Sequence, residues 1–158
     1  MVESVISEFV FDTAWIIPTV QTVHIICISI LIGSMAMVDL RILNLAMRSQ
    51  STASLSRRLL PYVWGALPVL LVTGVILILG EPSRSLESPA FQLKMVLLVL
   101  GIAATLTFQN AIKTDDFFWE VSPARARTGK LLALVSLLIW IAIIFAGRYI
   151  AYATGTDG

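Results

Sequence analysis

Residues 15–38 read WIIPTVQTVHIICISILIGSMAMV, with no Asp, Glu, Lys or Arg. A helix rises about 1.5 Å per residue, so roughly 20 such residues cross a hydrocarbon core of about 30 Å. This stretch is long enough. Three more apolar stretches follow, at about 59–80, 91–112 and 131–152. The four take up most of the 158 residues and leave no room for a water-soluble domain. Residues 1–158 therefore read as a single transmembrane domain.

Composition agrees. The chain is 58% hydrophobic and 13% charged, with mean hydropathy +0.90, whereas soluble domains carry roughly 25% charged residues. Lipid offers backbone groups no partner, so each span must satisfy its own N–H and C=O groups as a helix or join a closed barrel. Barrel strands are shorter and alternate in polarity; these runs are continuous. The expected fold is an all-α four-helix bundle in a membrane.

Charge sets the expected orientation. Arg41, Arg48, Arg57 and Arg58 flank the connection after span one, and Lys113, Arg125, Arg127 and Lys130 that after span three. The opposite side holds only Arg84, Lys94 and Arg148. The positive-inside rule puts both basic connections in the cytoplasm, with both termini outside. The basic residues read as topology determinants. No aromatic–basic platform accompanies them, so nucleic acid is not an expected partner. The segment before span one carries Glu3, Glu8 and Asp12 and no Lys or Arg, unlike the basic start of a signal peptide, so span one reads as retained.

Smaller features complete the layout. Residues 1–14 set Val5, Ile6, Phe9 and Val10 against their acids, as a short interfacial helix would. Pro18 falls in the first turn of span one, where proline is tolerated. That span is expected to run on as helix through Asp39-Leu40-Arg41, where Asp39 and Arg41 read as a local ion pair at the membrane boundary. Pro61 is expected to open span two and Pro68 to kink it. Gly80-Glu81-Pro82-Ser83 reads as a stop and turn. The short outer loop makes spans two and three expected antiparallel neighbours. Phe117, Phe118 and Trp119 suit an interfacial belt. The tail 154–158 is expected to fray. Cys27, the single cysteine, allows no intrachain disulfide.

His24 is the only histidine. At 100° per residue, Leu31 and Met35 fall within about 20° of it, and Gln21 and Asp39 about 60° away. Thr22, Ser29, Gly33 and Ala36 gather about 120–180° away. Small residues let membrane helices approach closely, so span one has two specialised faces, and a homo-oligomer is the expected way to cover both. Span three aligns Lys94, Gly101, Thr105 and Phe108. Span four aligns Ala133, Ser136, Trp140, Gly147 and Ala151.

An ionisable side chain inside a span is a functional candidate by default. His24 is a candidate to ligate haem or a metal, or to accept and relay protons; a packed, hydrogen-bonded histidine is the plainer reading. Lys94 and Arg148 are candidates to pair with haem propionates or another anion, with Glu81 nearby; snorkelling to headgroups is their plainer role. Trp140 is a candidate to stack on a cofactor, although a tryptophan at that depth is more often core. A b-type haem in a bundle usually takes two axial histidines, so two copies would each give one; Met35 is about 16 Å along the helix from His24. One His, one mid-span Cys and scattered Met do not make a three- or four-ligand metal site. No Ser–His–Asp set, phosphate loop, paired carboxylates or Cys–Cys motif is present, which argues against a hydrolase or kinase and against a stand-alone enzyme.

His24, Gly33-Ser34, Asp39-Leu40-Arg41, Phe91-Gln92-Leu93-Lys94 and the closing Gly147-Arg148-Tyr149-Ile150-Ala151-Tyr152 together resemble a family of small bacterial four-span membrane proteins with no established activity. The resemblance runs from about Thr19 to Tyr152. More distantly the chain is similar to CopD-like copper-resistance proteins and to small cytochrome b-type bundles. That likeness implies metal or haem chemistry on the periplasmic side, with His24 the one residue to inherit a ligand role.

The expected function is binding of a cofactor or small molecule in the outer half of a bacterial inner-membrane bundle. Haem b with electron transfer to a membrane or periplasmic redox partner is its sharpest form. A structural or assembly subunit of a larger membrane complex is the alternative. A channel or transporter ranks third, because the inner half looks nearly devoid of polar residues beyond Thr73, Thr105 and Gln109.

Overall fold

The structure, a computed structural model, describes residues 15–80, 89–119 and 121–153. The expected interfacial helix at 1–14, Glu81 and Arg84 in the connection after span two, and the tail 154–158 lie outside the described residues. Four helices make up the fold: α1 (Ile16–Ile42), α2 (Thr52–Gly80), α3 (Pro89–Thr114) and α4 (Pro123–Ala153). All four are long and apolar enough to cross a membrane. Large apolar side chains lie exposed along each, among them Ile25, Val72, Val99 and Phe145. In water such a surface would aggregate; against lipid it is the surface a bundle needs. The chain is an all-α, multi-pass membrane protein.

The helices outrun the apolar stretches at the end that carries the basic connections. α2 begins at Thr52 and α4 at Pro123, several residues before positions 59 and 131. Their starts are set by caps. Ser51 Oγ accepts from the Ser54 N–H (3.1 Å), and Ser122 Oγ from the Arg125 N–H (3.3 Å). Each satisfies a donor that the first turn leaves orphaned. Proline occupies the first position of α3 and of α4, where its missing N–H costs nothing. An apolar window measures the depth of hydrocarbon; caps measure the helix, which continues through the headgroup zone. For the same reason Pro61 does not open α2. It lies inside that helix, as does Pro68.

α1 does continue through Asp39-Leu40-Arg41, and it stops at Asn44, whose φ is 59°. The Leu45 N–H reaches the Leu40 carbonyl (2.9 Å) and the Asn44 N–H the Arg41 carbonyl (3.0 Å). This is the Schellman arrangement, with Asn in the left-handed position it tolerates better than most residues. Between α3 and α4, Asp115 Oδ1 accepts from the Phe117 N–H (3.0 Å). Trp119 is then tucked edge-on against Phe108 and Phe118, with ring centroids 5.8 and 5.0 Å away. Its ring lies over Gly129 so closely that a Cβ there would stand 2.9 Å from it.

α1 packs mainly on α2, α3 on α4, and α1 on α4; α2 and α3 meet only marginally. α2 and α3 are neighbours, as the short connection implies, but with little packing between them. The two hairpins join through α1 and α4, which become the central pair. Near the basic connections, Arg57 of α2 forms an ion pair with Asp116, just beyond α3.

Four contacts fix the levels of the helices. His24 of α1 meets Thr73 of α2. Lys94 of α3 lies beside Gly147 of α4, and Gly101 beside Trp140. Met35 of α1 meets Thr105 of α3. The two α3–α4 pairs share one antiparallel register, which puts Ser136 level with Thr105. The buried residues follow the same stripes: Leu31, Met35, Val38 and Asp39 on α1; Gly101, Thr105 and Phe108 on α3; Ala133, Ser136 and Trp140 on α4.

Candidate functional site

His24 is half-buried, and its ring turns towards α2. Its Nδ1 stands 2.7 Å from Thr73 Oγ1. Thr73 lies 2.7 Å from the Val69 carbonyl and 3.3 Å from the Leu70 carbonyl. A hydroxyl has one proton, and here it goes back into the preceding turn, as threonine in a membrane helix often arranges. The Thr73 oxygen is then the acceptor and His24 Nδ1–H the donor. This pattern assigns the proton of the neutral imidazole to Nδ1 and leaves a lone pair on Nε2. Gly74 lies under the ring edge, and a Cβ there would stand 3.7 Å from Cε1.

The small face of α1 points the other way. Thr22, Ser29 and Gly33 are exposed, and a Cβ added at Gly33 would meet nothing within 4 Å. Of the two arrangements open to span one, the structure has His24 turned to its own bundle and the small stripe turned out.

Lys94 of α3 is close enough to act electrostatically on His24. A Cβ at Gly147 would stand 3.8 Å from its ammonium nitrogen. Arg148, next along α4, is exposed and engaged with a neighbouring group. His24, Lys94 and the Gly147–Arg148 turn thus occupy one level of the bundle. Trp140 does not share it. It lies about two turns further in, fully buried, its ring 3.0–3.3 Å from where a Gly101 Cβ would be.

The histidine suits one axial ligation: a ring nitrogen free to bind, the other donating to an oxygen that fixes the ring. The chain has no second histidine to serve as a partner ligand. Met35 is fully buried further in, its sulfur 3.5 Å from Thr105 Oγ1, whose proton goes to the Gly101 carbonyl at 2.9 Å. Among the described residues, no three His, Cys, Asp or Glu side chains come together as a metal site.

One group escaped the sequence reading. Asp39 does not pair with Arg41. Residues two apart point to different sides of a helix; Arg41 turns outwards to Asn44 Oδ1 and the Gln50 carbonyl. Asp39 turns inwards and is 0% exposed. The signal was its position on the His24 side of α1, in line with Met35. It is not alone there: Ser56, Thr105 and Ser136 are also 0% exposed. The half of the bundle nearer the basic connections is thus more polar inside than its composition suggested.

Two open grooves lie at the end with the basic connections, away from His24. One, of about 610 Å³, runs along α3 and α4 past Asn110, Thr114, Trp119 and Arg125. The other, of about 360 Å³, lies along α2 and α3 by Arg57, Trp64 and Lys113. Arg125 covers the Phe118 ring at 4.6 Å.

No curated protein and no solved structure matches the chain. One family model does, over residues 10–153, which takes in all four helices, and on that match the chain belongs to a family of unknown function, DUF6644.

Proposed function

We propose that this membrane protein binds a cofactor or small anionic molecule in the outer half of its bundle, with His24 Nε2 as ligand or proton acceptor. Lys94 and Arg148 supply positive charge at the same level. Trp140 closes the floor of that region from about two turns further in. The observation that carries the reading is the Thr73 contact. It fixes the ring and commits Nδ1 as donor, so that Nε2 is the nitrogen offered.

In its sharpest form the ligand is a b-type haem serving electron transfer with a membrane or periplasmic partner. The group would supply one-electron chemistry. His24 would hold its iron, and Lys94 and Arg148 its propionates. The second histidine would be His24 of another copy, brought up on the His24 side of the bundle, since the small face of α1 points away from that ring. The charge bias of the connections favours both termini outside, in a bacterial inner membrane.

The test is a visible spectrum of detergent-purified protein, oxidised and dithionite-reduced, beside His24→Ala. A Soret band that shifts on reduction and vanishes in the variant supports haem. A colourless wild type, made with haem supplied, overturns the haem form. Stoichiometric co-purification of a partner with colourless protein points instead to a subunit of a larger complex.

A further inference from the structure

We propose that Asp39 is a membrane-buried proton-binding carboxyl in the inner half of the bundle, facing the Ser136 hydroxyl. The inference stands apart from the His24 reading.

Both carboxyl oxygens of Asp39 are buried with no hydrogen-bond partner among the described residues. The Oγ atoms of Ser136 and Ser56 are in the same condition. Ser136, on α4, faces the carboxyl but stands outside hydrogen-bond geometry. Ser56 comes to the same level from α2. The His24–Thr73 contact sets the antiparallel register of α1 and α2; followed inwards to Asp39, it reaches α2 within about two residues, ~3 Å, of Ser56. Side chains on a helix lean towards its N-terminus, which tilts Asp39 back towards Ser136 and the Met35–Thr105 pair.

Every charged group near this end is otherwise placed. On α1, Arg41 is turned to Asn44 and Gln50. On α2, Arg57 is paired with Asp116, and Arg58 is exposed. On α3, Lys113 is exposed, and on α4 so is Lys130. No cation reaches the carboxyl. An ionised carboxylate buried without a partner is strongly disfavoured, and the usual relief is to neutralise it. A metal cation would need a shell of several oxygens. The residues around Asp39 offer the hydroxyls of Ser56, Ser136 and Thr105, the last directed to the Gly101 carbonyl, and are otherwise apolar: Met35, Val38, Phe108 and Ala133. A proton needs no cavity. It turns one carboxyl oxygen into a donor that Ser136 Oγ can accept, while the other oxygen can accept from a serine hydroxyl. Asp39 also lies less than one turn from Ile42, the end of α1. The proton therefore has a short route to the aqueous surface at the basic connections.

Infrared difference spectroscopy of the full-length protein in lipid nanodiscs at neutral pH tests this. Wild type minus Asp39→Asn is expected to show the C=O stretch of one protonated carboxylic acid, shifted down in D2O. Ser136→Ala, which leaves the carboxyl in place, is expected to shift that band to higher frequency. It tests the assignment even if Asp39→Asn fails to assemble. Replacing choline chloride with sodium chloride is expected to change nothing. A carboxylate signal in place of the acid band would overturn the proposal. So would loss of the band on adding sodium, which would make a metal cation the occupant. Because His24 is untouched, a protein that is colourless in the haem test leaves this result standing, and the reverse holds too.

Discussion

His24 Nδ1 lies 2.7 Å from Thr73 Oγ1, and this one contact both orients the imidazole and registers α1 against α2. It joins the functional candidate to the fold. The two roles separate on mutation.

Thr73→Val keeps the shape of the side chain but removes the oxygen that accepts from His24. The half-buried Nδ1–H is left unpaired, at a cost of about 1 kcal/mol, read as a modest fall in melting temperature in detergent. The larger effect is expected on ligand binding, because a histidine that loses its orienting partner typically loses 10–100-fold in affinity. Thr73→Ser restores the oxygen and is expected to restore binding. Equal binding by Thr73→Val and wild type would mean that Thr73 serves packing alone.

The helix count and the residues that share one face on α3 and on α4 were legible in the sequence, but the direction those faces take and much of the azimuthal arrangement were not. In water, a helix shows its buried face by polar contrast. In lipid both faces are apolar, and the packed face is marked only by small and polar residues. That weaker signal sufficed for Gly101, Thr105 and Phe108, and for Ala133, Ser136 and Trp140. On α1 it left two candidate faces, and only the Thr73 contact resolves them. Asp39 was visible on the His24 side, but its neighbour Arg41 invited a local pairing that helix geometry does not allow. The marginal contact of α2 with α3 had no sequence signal, since a short connection limits distance without requiring packing.

Glycine substitutions test the packing. Gly101→Ala puts a methyl 3.0–3.3 Å from the Trp140 ring, which is itself fully buried and has nowhere to move. A loss of about 1–3 kcal/mol is expected, measured by unfolding in mixed micelles. Gly33→Ala meets nothing within 4 Å, so the single chain should keep its stability. If copies associate through this face, the same substitution lowers the association constant, measured by crosslinking or analytical ultracentrifugation in detergent. A destabilised Gly33→Ala monomer would contradict the outward placement of this face.

The Arg57–Asp116 ion pair lies at the surface, and both side chains are about half exposed or more. Such pairs contribute between nothing and about 1 kcal/mol and are screened by salt. Asp116→Asn is therefore expected to change stability by less than about 1 kcal/mol, with the difference vanishing at high ionic strength. A larger, salt-independent loss would show that the pair holds α2 to the end of α3 in a way its exposure does not suggest.

Orientation is open to a direct test at the two basic connections. Ser49 and Val121 are exposed and lie between α1 and α2 and between α3 and α4. In a Cys27→Ala background, Ser49→Cys and Val121→Cys each place one thiol at this end. If the basic connections face the cytoplasm, a membrane-impermeant maleimide labels neither in intact cells and both in inverted vesicles. Labelling of both in intact cells would reverse the orientation. His24 and Lys94 would then lie in the inner half and Asp39 in the outer, and the proton of Asp39 would exchange with the opposite compartment.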